Sequence, residues 1–124
     1  MENKAKIKSF TDLIAWQEAH KLVILVYKAT KNFPREEMFV LIAQIKRAAI
    51  SISSNIAEGF SRNSAKDKCQ FYSIAQGSLT ELQNQLLIAR DLKYLTENDF
   101  QNIAQQTVRV SKLISGLKKI KNSI

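Results

Sequence analysis

The chain has 124 residues, 19 Lys and Arg against 11 Asp and Glu for a net charge of +8, 45% apolar residues and one cysteine. That length allows one domain with a real core and no second domain, and Cys69 alone excludes an internal disulfide. The longest apolar run, Leu22–Tyr27, is far below the roughly 20 residues of a membrane span, and the charged Met1–Ser9 lacks the apolar stretch of a secretory signal; a cytoplasmic protein without a membrane anchor is expected.

Three glycines and one proline leave few breaks, and the breaks fall between helical patterns, so an all-α fold is expected over a single domain, residues 1–124. Ser9 followed by Asp12 makes a capping box and predicts a first helix over about 12–31, with Leu13, Trp16, Ala19, Val23, Val26 and Thr30 on one side. Asn32-Phe33-Pro34 ends it. A second helix over about 35–58 begins with Glu36 and Glu37 at its positive end and carries the apolar track Met38, Leu41, Ile42, Ile45, Ala48, Ala49, Ile52 and Ile56, with Gly59 as its closing residue. Ser64 with Asp67 opens a third helix over about 65–94, and Thr96 with Asp99 a fourth over about 97–121. Short connections between long helices give antiparallel neighbours, hence an up-down-up-down four-helix bundle.

Two stretches carry polar residues where a plain bundle would not. Gln44, Arg47, Ser51, Asn55 and Glu58 fall three or four apart, forming one stripe beside the apolar track of the second helix. In the third, Gly77 and Ser78 stand mid-pattern and Glu81 follows a turn later; such a glycine costs roughly 1 kcal/mol against Ala and is expected to admit another backbone. Arg47 and Glu81 are expected to form a partly buried pair, alone or in a network with Asn55 and Glu58, holding the second helix to the third or to a neighbouring subunit.

The motifs of these stretches resemble those of the small bacterial four-helix bundle proteins encoded in intervening sequences of 23S ribosomal RNA genes. The resemblance runs over Phe10-Thr11-Asp12-Leu13 with Trp16-Gln17, Tyr27, Phe33-Pro34, Glu37, the stretch from Gln44 to Ala48, Asn55-Ile56-Ala57-Glu58-Gly59, and Ala75 to Leu82, covering residues 10–95. Val40, Lys46 and Ser53 depart from it, standing where that family often has Gly, Arg and Pro. It implies a cyclic homopentamer with a basic surface, related to accessory proteins of diversity-generating retroelements that bind nucleic acid, and no known reaction.

The charge is unevenly placed. In an antiparallel bundle one end gathers Lys4, Lys6, Lys8, Arg62, Lys66, Lys68, Lys118, Lys119 and Lys121 against Glu2, Asp12, Glu58 and Asp67, while the other mixes Lys31, Arg35, Arg90 and Lys93 with five acids. The basic end reads either as complement to helix dipoles and an aid to solubility, or as a phosphate-binding patch for RNA or DNA. No base-reading motif accompanies it, so binding without sequence preference is the expected form. The alternative is a scaffold that docks another protein. Enzyme chemistry would need Arg47 as an anion clamp and Glu81 or Glu58 as a base, in a cleft the sequence does not suggest. Cys69 and His20 are too few for a zinc site, and no metal or cofactor is expected. Trp16, Tyr27, Phe39, Phe71 and Phe100 are expected as packing anchors; Tyr72 and Tyr94 are open to a subunit contact.

Overall fold

The computed structural model of the chain describes residues 6–120, and among them every regular element is helical. Four helices, α1 (Ile14–Thr30), α2 (Leu41–Ser61), α3 (Ala65–Asp91) and α4 (Glu97–Ile120), are joined by short connections. Contacts run α1 to α2, α2 to α3, α3 to α4 and α1 back to α4, so each helix has two neighbours around one core. Ala19, Leu22, Val26, Ile45, Ala49, Ile52, Ile56, Leu82, Val110 and Ile114 are sealed at its centre.

The ends of the helices follow from local chemistry. The Ser9 and Asp12 capping box forms: Ser9 Oγ accepts from Thr11 N at 3.2 Å, and Asp12 Oδ2 accepts from the backbone of Ser9 and Lys8. It caps a single 3-10 turn, Phe10–Asp12, because Leu13 is extended and α1 starts only at Ile14. Ser64 and Thr96 each accept a backbone N–H at 3.0 Å, from Asp67 and Asp99, and start α3 and α4 as expected. The end of α3 is a Schellman motif, with Tyr94 N donating to Ala89 O and Lys93 N to Arg90 O; Lys93 takes the left-handed φ of 66° usually left to glycine.

Several expectations require correction. The second helix does not run unbroken from residue 35, since a 3-10 turn at Arg35–Glu37 and the unusual Val40 backbone (φ −118°, ψ −93°) precede α2. That break takes Met38 out of the core and leaves Phe39 88% exposed, so Phe39 is not a packing anchor; Tyr27 is likewise exposed. Gly59 does not close the helix, which continues to Ser61. Its smallness serves packing instead, because a Cβ there would lie 2.6 Å from Cε1 of Tyr72 and 3.2 Å from the carbonyl oxygen of Lys68. Gly77 is the reverse case: among the described residues nothing lies within 4 Å of a Cβ there, so none of their backbone outside its own helix approaches it.

Candidate nucleic-acid interface

Helix order alone does not say whether the basic residues meet; a cavity does. It has a volume of about 340 Å³ and is lined by Ile7 and Leu13 from the start of the chain, Phe60 and Lys68 from either side of the α2–α3 turn, and Leu117 and Lys118 from α4. The opening residues, that turn and the last turns of α4 therefore share one end. Arg90, Asp91, Lys93 and Glu97 line a separate recess where α3 passes into α4, a region of mixed sign in which Arg90 pairs with Asp91 at 2.9 Å.

Of the nine basic residues expected at the first end, Lys4 and Lys121 lie outside the described residues. Lys6, Lys8, Lys66 and Lys119 are exposed, and their ammonium groups make no hydrogen bond or ion pair among the described residues. The other three have structural duties. Lys68 Nζ donates to Phe60 O at 2.7 Å, satisfying a carbonyl in the last turn of α2 that the helix leaves unpaired. Arg62 pairs with Glu58 and lies over the Phe71 ring at 4.6 Å, while Lys118 Nζ reaches Gln76 Oε1 at 3.4 Å. Four lysines are thus available to meet phosphates, and the other three cations are tied into the local structure.

The polar stripe resolves differently from expectation. Within the chain no ion pair joins Arg47 to Glu81; both are exposed, as is Gln44. Asn55 belongs to a small local cluster, its Nδ2 donating to Ser51 O at 2.8 Å, and Ser51 Oγ meets Ser78 Oγ of α3 at 2.7 Å. Glu58 turns to Arg62 instead of Arg47. The stripe therefore divides into one interhelical serine contact and exposed charges facing solvent.

The most desolvated charge is one that sequence reasoning passed over. Glu18 of α1 is only 7% exposed; its Oε1 accepts from Gln106 Nε2 at 2.9 Å and from Arg109 Nε at 3.0 Å, and its Oε2 accepts from Lys21 Nζ at 3.0 Å. These bonds, Gln106 first and Lys21 next, lower its pKa to about 2. The signal was available, since Glu18 sits three or four residues from Ala15, Leu22 and, a turn on, Val26, a charged intruder on a buried track. Tyr72, 5% exposed and pushed up in pKa by burial, and Tyr94, whose hydroxyl donates to Glu37 Oε2 at 2.9 Å, likewise prove to be packing residues. His20 stacks on Trp16, with ring centroids 4.8 Å apart. Among the described residues no group of three His, Cys, Asp or Glu side chains could hold a metal, and no helix is long and apolar enough to cross a membrane.

The fold and this end together define a small, basic, all-helical bundle protein. Its sequence matches the family model of the 23S rRNA-intervening sequence protein over residues 11–116, and the chain belongs to that family. A crystal structure of a protein with unknown function from the S23 ribosomal protein family of Bacteroides thetaiotaomicron superposes with a TM-score of 0.79 at 22% identity, over 86% of this chain and 96% of the other. That likeness is one of fold. No curated protein matches the chain.

Proposed function

We propose that the protein is a non-enzymatic nucleic-acid-binding bundle that contacts RNA or DNA through phosphates, without strong sequence preference. The carrying observation is the convergence of exposed lysines, Lys6, Lys8, Lys66 and Lys119, on the end marked by Lys68 and Lys118. A surface that offers ammonium groups and no base-reading side chain attracts phosphate by charge and counterion release. The bundle is antiparallel in this reading. Gln76 bonding to Ser115 while Gln83, two turns on, bonds to Thr107 supports oppositely directed α3 and α4.

The working form is a homo-oligomer, five copies by the family resemblance, which would align several basic ends and raise avidity without new contacts per subunit. Support comes from exposed apolar side chains, among them Phe39, Val40, Leu87, Ile88 and Leu92, more than one core can cover. The test is fluorescence anisotropy of a labelled single strand and a labelled duplex over a salt series. Log K should fall linearly with log salt, with a slope of about −0.7 to −0.9 per phosphate neutralised. Exchanging Lys8, Lys66 and Lys119 for Gln should weaken binding and flatten that slope, and exchanging Arg90 and Lys93 should change little. Absence of binding at low salt would sink the reading in favour of a protein-docking scaffold.

A further inference from the structure

The cavity at the basic end has a composition that phosphate binding does not explain. Its walls are largely apolar, contributed by Leu13, Phe60, Tyr72 and Leu117, and among the described residues only Lys68 and Lys118 bring charge to it. Surface lysines serving a nucleic acid need no such hollow, and a small helical domain does not keep an open apolar one without cost. Tyr72 lines the cavity too: its ring is buried, while its hydroxyl makes no hydrogen bond among the described residues and is not sealed from solvent, so it can donate to a ligand.

The geometry points to a binding site for a single-chain alkyl carboxylate: the hydrocarbon chain lies against Leu13, Phe60 and Leu117, and the carboxylate takes hydrogen bonds from Lys68 and Lys118, with the Tyr72 hydroxyl as a further donor. Of three ammonium protons each, Lys68 uses two, on Phe60 O and at 3.5 Å on Gly59 O, and Lys118 one, on Gln76 Oε1, so both keep a donor for a ligand. Size selects the class, because about 340 Å³ stands near the lower limit of small-molecule pockets and holds one short chain, not a two-chain lipid. A nucleobase fits the lining poorly, since the polar groups on its edges would be desolvated with few partners. The site does not depend on nucleic-acid binding, so either can fail alone.

Isothermal titration of the full chain with hexanoate, octanoate and decanoate, each below its aggregation concentration, tests the assignment. One ligand per chain is expected, with affinity rising about fourfold per added methylene until the cavity is full. Decanol, which lacks the charge, should bind at least tenfold more weakly than decanoate. Cys69→Phe and Ala65→Phe each place a ring in the cavity from α3 and should abolish binding; circular dichroism and thermal unfolding identify whichever variant keeps the fold. Alkylation of Cys69 in the wild type should slow when decanoate is present. The assignment is overturned by no heat and no Cys69 protection with decanoate at millimolar concentration. Decanol binding as tightly as decanoate, or a folded cavity-filled variant binding unchanged, would overturn it equally.

Discussion

Where α2 meets α3 the contact is made mostly by small and apolar groups: Gly59 admits the Tyr72 ring, and the polar ties are a Ser51–Ser78 hydrogen bond and the bonds from Lys68 Nζ to the last carbonyls of α2. Where α1 meets α4, a desolvated carboxylate is gripped by an amide and two cations. The first seam is the most extensive in the molecule, and its stability rests on shape. The second is smaller and depends on the charge state of one residue. The basic end lies beside the first seam, so its lysines are displayed on packing that does not change with pH.

The largest expected effect lies at Glu18. Arg109 and Lys21 are themselves largely exposed, so their ion pairs alone are worth little; Gln106, which also donates to the backbone oxygen of Glu18 at 2.9 Å, does most to hold the carboxylate ionised. Because the folded pKa, about 2, lies below the ordinary 4.5, this stabilisation is complete above about pH 5 and is lost as pH falls toward 2. The depression corresponds to about 3 kcal/mol at neutral pH. Glu18→Gln should therefore cost about 2 to 3 kcal/mol at pH 7 in urea unfolding and flatten the acid limb of the stability profile. An unchanged acid limb would mean that other carboxylates set it.

A smaller loss is expected at the other seam. Gly59→Ala gains helix propensity but presses a methyl group against a ring that is almost wholly buried and against the backbone of Lys68. Overpacking outweighs the gain, for a net loss of about 1 to 2 kcal/mol at any pH between 4 and 9. Tyr72→Leu in the same background should recover part of it, since removing the ring removes the clash. Losses that add without coupling would show that the ring is not the obstacle.

This contrast also explains what was legible in the sequence. The helices and their caps follow from local signals, and Ser64, Thr96 and the Ile45–Ile52–Ile56 track behave as such signals should. The Glu18 cluster joins residues 88 apart, and no local pattern names Gln106 as its partner. Arg47 and Glu81 do not pair within the chain for the complementary reason: helical spacing places a residue on a face, but whether that face meets the neighbouring helix of the same chain depends on helix rotation. Phe39 was lost to backbone geometry at Val40, which the apolar periodicity does not encode. The basic end was predicted from topology, yet which lysines would be tied down, as Lys68 is, depends on the exact position of a helix terminus.

The smallest effect sharpens the comparison by making the same substitution with opposite sign. Gly77 lies mid-α3 on an exposed face with nothing near its missing Cβ, so Gly77→Ala should stabilise the chain by about 0.5 to 1 kcal/mol through helix propensity alone. Nothing among the described residues requires glycine there. If the proposed oligomer seats a neighbouring backbone on this face, the gain will be offset and the mass from light scattering, several times 14.1 kDa for the wild type, will fall. A rise in thermal stability at unchanged mass leaves the Gly77 face open and moves the subunit contact to the apolar side chains around Phe39 and Leu92. A loss of stability at unchanged mass would contradict both, since it would require a contact within the chain where Gly77 has none.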